Sequence, residues 1–413
     1  MKESSIIVFL LLIFLSILGK NLVSFTLNQK EYKLLEKTTL NLDYSMLRFH
    51  LIGDYGMFNT LMKFPILPLE LTAQAMAKYA KENPISFIMT VGDNFYDMEK
   101  VYHNSVVSKT MEIFNAGDLN KLPWYLLYGN HDCYFNDYFG DMIEKIFDNI
   151  FMPRCPWNMT LPLGNGFVSF TFLSCTLICM RPYQNYHVER QCSKSKFYYD
   201  PAKEYKWIED HLKYISNQPN ILWNFVLIHN PIFSVSTANG DSESLILNLL
   251  PLLEIYNVDA VLSGHTHNMQ YHTIKKQNGT SPYIKQEYDP VCIGYPKIPC
   301  DGKKIYCYNK NVTCPSSGFT CNNLTTYEDG ISWANNKKYV EYKKGKEIHQ
   351  IVQGGSGADL SPLCLNSTTP MTQLDFALAD FGFTEMTLTE NYMKIRYIHS
   401  NSTEVLFESV IYT

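Results

Sequence analysis

Five short segments end an apolar run on residues that can bind a metal or move a proton. They are HLIGDYG with Asp54, MTVGDNFY with Asp93 and Tyr96, YLLYGNHD with Asn130, His131 and Asp132, FVLIHNP with His229, and AVLSGHTH with His265 and His267. Each alone is weak: Gly-Asp is a common turn, a lone His after a strand is usually a hydrogen-bonded core residue, and Gly-His-x-His can be surface polarity. Within GDNFY itself three readings stay open: a polar turn, one carboxylate beside an unrelated phenol, or two ligands of one metal. Taken jointly, always at the end of an apolar run, the segments point to a single site, because ligands of α/β sheets collect at the carboxyl ends of strands. Asn94 gains no role in this reading; Asn130 is the amide that joins the donors.

The elements that must carry these residues alternate. Strands are expected at 47–52, 87–91, 124–128, 167–173, 221–228 and 258–262, and helices at 70–82, 104–115, 137–147, 201–214 and 243–256. Such alternation without a linker implies one layered α/β domain over 46–412. Strand-like runs resume at 349–353, 382–388, 392–398 and 404–412. Between them residues 276–346, rich in Asn, Lys, Tyr, Gly, Pro and Cys, read as an insertion. An extended run from His267 to Lys275 would carry the chain about 26 Å from the site and return into Gly354 as a hairpin, so the insertion is rooted away from the donors. It is expected to be a tolerated excursion or a module for a protein partner.

Charge and cysteine content bound the partners. The net charge of −5 argues against a nucleic-acid partner. The stretch from His272 to His349 holds twelve Lys, no Arg and seven Asp or Glu, a local +5 that leaves −10 for the rest. Residues 1–19, with an apolar run from Ile6 to Leu15, read as a signal peptide followed by a lead-in over 20–45. A signal anchor is the alternative, since Gly19 precedes Lys20. No later segment is expected to span a membrane. Entry to the secretory route permits disulfides among eleven cysteines, of which Cys292, Cys300, Cys307, Cys314 and Cys321 recur at near-regular spacing. Cys175 and Cys179 read as buried thiols. Sequons at Asn158, Asn278, Asn311, Asn323, Asn366 and Asn401 fit a glycoprotein.

The ordered set Gly-Asp-x-Gly, Gly-Asp-x-x-Tyr, Gly-Asn-His-Asp, His and Gly-His-x-His resembles the metallophosphoesterase pattern. Tyr96, with PWYLLYGNHD and GHTHNMQ around the later motifs, makes the chain similar to the purple acid phosphatases, specifically the small tartrate-resistant type. The resemblance covers roughly residues 46–275 and 348–412. It implies an α/β metallophosphoesterase sandwich, two central mixed sheets flanked by helices, with the Cys-rich stretch inserted. It further implies a ferric ion on Asp54, Asp93, Tyr96 and His267, and a divalent ion (Fe, Zn or Mn) on Asp93, Asn130, His229 and His265, with Asp93 bridging. His131 resembles the family's catalytic histidine, and Asp132 stands as a support behind the ligands. The implied activity is acid hydrolysis of a small phosphomonoester or a phosphoprotein by a metal-activated hydroxide; a non-catalytic phosphatase-like scaffold that binds a partner, and a phosphodiesterase or protein phosphatase of the same superfamily, are the alternatives.

Donor chemistry agrees with that assignment. Carboxylate, phenolate and amide oxygens are hard donors, and imidazole suits iron and zinc. A phenol with a pKa of about 10 loses its proton at acidic pH only to a strong Lewis acid, so Tyr96 points to a trivalent ion. One departure stands out: the small type carries a further histidine some nine residues after the His229 equivalent, where this chain has Ala238, and no histidine occurs between His229 and His265.

Overall fold

The computed structural model describes residues 45–56, 67–96, 103–134, 139–175, 177–179, 201–236, 240–276, 338–361 and 371–413, with short strands at 292–293, 304–307, 310–313, 332–333 and 363–364. The expected signal peptide, Ala238 and most of 276–346 lie outside the described residues.

Period-two patterning explains the layers. In β1 (Leu47–Ile52) the alternate residues Leu47, Phe49 and Leu51 enter one apolar cluster, while Ile52 enters another on the opposite face. The first face meets a second sheet: Phe49 stacks on Phe87 at 4.8 Å, meets Phe170 edge-on at 5.7 Å, and Phe170 stacks on Phe225 at 5.0 Å. The opposite face is covered by α1 (Leu67–Glu82), whose Leu69, Ala73 and Met76 recur at helical spacing and are buried.

Sheet A contains, in spatial order, β11 (Tyr339–Lys343), β16 (Val405–Tyr412), β15 (Tyr392–His399), β14 (Gly382–Leu388), β1, β2 (Phe87–Thr90), β3 (Trp124–Tyr125) and β4 (Ile150–Phe151). Sheet B runs β10 (Ser332–Trp333), β13 (Thr372–Leu378), β9 (Met269–Lys275), β12 (Glu347–Gln353), β8 (Ala260–Ser263), β7 (Ile221–Leu227), β6 (Gly166–Phe172) and β5 (Trp157–Leu163). Both sheets are mixed. In sheet A, β1 to β4 are parallel; in sheet B, β6, β7, β8 and β12 are parallel. Helices α2 (His103–Ile113) and α4 (Phe139–Ile146) join α1 outside sheet A, and α5 (Pro201–Ser216), α6 (Glu243–Asn248) and α7 (Leu250–Ile255) cover sheet B. The expected two-sheet sandwich is therefore the fold.

Three differences have physical causes. The helix expected over 243–256 is two helices, because Pro251 lacks the N–H that would continue the first. The predicted hairpin after His267 is present, with β9 and β12 antiparallel from Met269–Gln353 to Lys275–Glu347. The far end of the inserted stretch nevertheless belongs to the sandwich, since β11 pairs in parallel with β16. Finally, Cys175 is not a plain buried thiol. It is bonded to Cys133, at the end of the single-turn helix α3 (Asn130–Cys133), tying the turn that carries Asn130 and His131 to the segment after β6. Cys155 is free, and the side chain of Cys179 lies outside the described residues. No helix among the described residues is long and apolar enough to cross a membrane.

Glu204, in the first turn of α5 and 8% exposed, accepts a hydrogen bond from Ser174 N at 2.9 Å. Burial raises its carboxyl from 4.5 to about 7. Its folded pKa lies above the unfolded one, so its contribution is intact below about 4.5 and is lost as pH rises through about 7. Glu204→Gln should therefore gain stability relative to the native chain between pH 5 and 8, by about 2–3 kcal/mol from the linkage relation. Urea unfolding of both proteins at the two pH values checks this.

Candidate metal centre

All five expected strand ends arrive at one place. Asp54 follows β1, Asp93 and Tyr96 follow β2, Asn130 opens α3 after β3, His229 follows β7, and His265 and His267 follow β8. The parallel runs in both sheets point their carboxyl ends to a common edge, so side chains up to 213 positions apart converge.

His229 stands at the centre of one half. Its Nε2 lies 3.0 Å from Asn130 Oδ1 and 3.4 Å from Asp93 Oδ1, and its Nδ1 contacts Val91 O at 2.7 Å. The carbonyl of Val91 can hold the Nδ1 proton, which leaves Nε2 free to ligate. Asp93, His229 and His265 are all buried and offer ligand atoms within 4.8 Å of one another. In the other half, Tyr96 donates its OH to Asp54 Oδ1 at 3.3 Å and lies 3.2 Å from His267 Nε2, which is 3.5 Å from Asp54 Oδ1. The carbonyl of Asp359 takes His267 Nδ1 at 2.6 Å and orients that ring.

The backbone is bent to make these contacts. Asp54, Asp93 and His265 hold φ values of +55°, +50° and +66°, a left-handed conformation that costs a non-glycine residue energy and clusters at functional sites. Glycines make the close approaches possible. A Cβ on Gly92, itself at φ +97°, would lie 2.6 Å from His229 Nδ1 and 2.7 Å from Gly129 Cα. A Cβ on Gly264 would meet Asp54 Oδ2 at 2.5 Å.

The proton affinities of these groups oppose one another. Burial raises the Asp54 carboxyl well above its ordinary range, Asp93 adding to the shift and His229 opposing it. Burial, with Asp93 and Asp54 close by, likewise raises the Tyr96 phenol. Against burial, the imidazoles of His229 and His131 hold Asp93 low, and Asp93 lifts His229 to about 9. Burial lowers both His265 and His267. Left to protein groups alone, the donors must share protons. A multivalent cation would let both carboxylates and the phenol ionise together.

His131 and Asp132 differ in placement. The His131 backbone N–H donates to Asp93 Oδ1 at 2.7 Å, while its half-exposed ring lies 4.4 Å from that of Tyr96 and 5.3 Å from that of Tyr134. Asp132 is fully buried and accepts from Gly129 N at 2.8 Å, Asn94 Nδ2 at 2.9 Å, Asn94 N at 3.2 Å and Phe95 N at 3.3 Å. Burial and Asp93 push it up to about 7.

Two residues passed over in the sequence matter here. Asn94 is fully buried and uses both ends of its amide. Its Nδ2 donates to Leu127 O at 2.7 Å as well as to Asp132, and its Oδ1 accepts from Thr90 Oγ1 at 2.6 Å and Tyr55 OH at 3.2 Å. Nothing local separates such an amide from a turn residue, since all its partners except Thr90 are distant in sequence. Tyr134, whose OH accepts from Asn130 Nδ2 at 3.1 Å, was findable, because it follows Asn130 by four positions, one helical turn.

A family model for the calcineurin-like phosphoesterases matches residues 47–269, and the chain belongs to that family. Within it, the chain is 28% identical to tartrate-resistant acid phosphatase type 5 of Rattus norvegicus over 246 residues, covering 57% of this chain and 70% of that one. Purple acid phosphatase 7 of Arabidopsis thaliana is 27% identical over 239 residues, 54% of this chain and 65% of that one. Among solved structures, the purple acid phosphatase PPD1 from yellow lupin seeds has a TM-score of 0.57 at 16% identity, covering 89% of this chain and 54% of that one. GAP50, described as the anchor in the inner membrane complex of Plasmodium, has a TM-score of 0.55 at 15% identity over 88% of both chains. These two likenesses show the shared fold.

Gly92→Ala would force a left-handed residue to carry a Cβ against His229. We expect a loss of about 1–3 kcal/mol in stability together with reduced metal retention. Thermal unfolding and metal analysis of the purified variant check both.

Proposed function

We propose that the chain is an acid phosphatase that releases phosphate from monoesters with a dinuclear metal centre. One observation carries the reading. The Tyr96 phenol is buried between Asp54 and His267 and shares its pocket with the Asp93, Asn130, His229 and His265 cluster. Asp54, Asp93, Tyr96 and His267 would hold a ferric ion, and Asp93, Asn130, His229 and His265 a divalent Fe, Zn or Mn, with Asp93 shared. The donor set fits: buried anions that burden one another here become an asset beside a cation, and the phenol selects the harder, trivalent one. Once bound, the ions would supply Lewis-acid polarisation of the phosphoryl oxygens and lower the pKa of the attacking water.

The chain's own residues do the rest. The His131 main-chain N–H fixes one Asp93 oxygen, and the half-exposed His131 ring is the group able to give a proton to the departing alcohol oxygen. With Ala238 in place of a further histidine, that duty falls to His131 alone. Asn130 is held by Tyr134 and His229 by Val91, so neither needs to reorganise to receive an ion. A small phosphomonoester or a phosphoprotein is the proposed substrate, and the secretory route the proposed location. A phosphatase-like scaffold that recruits a protein through residues 276–346 is the alternative. The fold likeness to GAP50, whose description names an anchor, favours it. The full set of seven donors favours catalysis.

Hydrolysis of p-nitrophenyl phosphate and of its bis ester at acidic pH tests the reading. We expect the monoester to be preferred at least about tenfold, and absence of turnover on either would favour the scaffold. Tyr96→Phe should remove the visible ferric–phenolate absorption of the purified protein. Asn130→Ala and His229→Ala should each lower turnover about 100-fold or more through loss of the divalent ion. Metal analysis beside the rate measurements separates that loss from misfolding.

A further inference from the structure

We infer that Asn94 is a positioning residue that holds the divalent half of the proposed centre in register, an inference that rests on the function proposed above. Its contacts reach three strand ends. Tyr55 follows Asp54 in the chain, Asn94 follows Asp93, and Leu127 and Asp132 bracket Asn130. A primary amide suits this place because its two ends face opposite demands: the carbonyl of Leu127 and the carboxylate of Asp132 need donors, and the hydroxyls of Thr90 and Tyr55 need an acceptor. The turn around Asp93 also packs directly on the turn before Asn130, where a Cβ on Gly129 would fall 2.1 Å from Asp93 N. The packing sets how close the two turns lie. The amide sets their sliding register, and with it the gap between the Asp93 carboxylate and the Asn130 oxygen.

The ferric half is anchored differently. Asp54 Oδ2 accepts from His265 N at 2.7 Å, and His267 is turned by the Asp359 carbonyl. Losing Asn94 should therefore loosen the two halves unequally.

The test uses the full chain loaded with metal, and reads metal release rather than turnover. Under a fixed concentration of chelator, Asn94→Ala is expected to release the divalent ion about tenfold faster or more, the size typical for groups that orient ligands, while the visible ferric–phenolate band persists. Thr90→Val, which removes the 2.6 Å bond to the amide oxygen and the 3.3 Å bond from Leu127 N but leaves both Nδ2 contacts of the amide, should shift release in the same direction by less, and it serves if Asn94→Ala does not fold. Thr72→Val, a buried hydroxyl bonded to Pro68 and Ser400, controls for stability and should leave release unchanged at a similar fall in melting temperature. Release at the native rate in the folded Asn94 or Thr90 variant overturns the inference, as does equal loss of both ions. A native protein that never holds two ions overturns the proposed function and this inference together, whereas two ions held equally well without Asn94 overturns the inference alone.

Discussion

Two carboxylates and a phenol are buried together: Asp54, Asp93 and Tyr96 are 0%, 1% and 3% exposed. The carboxylates would ionise in water, and here ionisation of any one of the three penalises that of the others. The opposite shifts of Asp54 and Asp93 follow from which imidazoles face them, with His229 and His131 favouring the Asp93 anion most. Such a cluster does not repay its burial as a core. It makes sense as a receptor for positive charge, and the bent backbones at Asp54, Asp93 and His265 are consistent with strain held for that purpose.

The sandwich exists, in this sense, to hold that cluster still. Three strand ends of sheet A and two of sheet B meet across an aromatic seam in which Phe49, Phe87, Phe170 and Phe225 interlock, each fully buried Phe contributing about 2–3 kcal/mol. Because the seam is close-packed, a donor from one sheet cannot drift relative to a donor from the other without opening a void. Finer placement then comes from polar groups behind the donors: Val91 and Asp359 carbonyls on the imidazoles, Tyr134 on Asn130, and the Asn94–Asp132 pair between turns.

What the sequence made legible follows the same division. β1, β7 and β14 fall within a residue of expectation, and Asp54, Asp93, His229 and His265 follow the ends of β1, β2, β7 and β8 as expected. Among the strands that escaped, β4 and β13 show two causes. β4 has only two residues, too few for any pattern. β13 carries the buried Asp375, which looks solvent-facing until its partner Thr273 is seen, whereas β9 was legible as one arm of the expected hairpin despite its buried Gln270 and His272. Asn94 and the Cys133–Cys175 bond were hidden for one reason: both are defined by partners about 30 to 40 positions away, and no local spacing encodes that.

The inserted stretch bears on the sheets more than on the chemistry. The hairpin of β9 and β12 begins beside the donors, at Met269 and Gln353, and opens at Lys275 and Glu347, roughly 20 Å away by strand rise. Whatever leaves the hairpin there starts at the end opposite the proposed ions. Among the described residues it returns at 292–293, which pairs with 363–364, at β10, which pairs with β13, and at β11, which pairs with β16. β10 and β11 are each the outermost strand of their sheet and pair where β13 and β16 would otherwise present open ladders. The half-buried pattern of β11, with Val340 in the seam and Tyr339 facing out, is that of an edge strand made integral to the core. Of the lysines in this stretch, Lys343 stands in β11 and Lys338 and Lys344 beside it, on an element the fold needs.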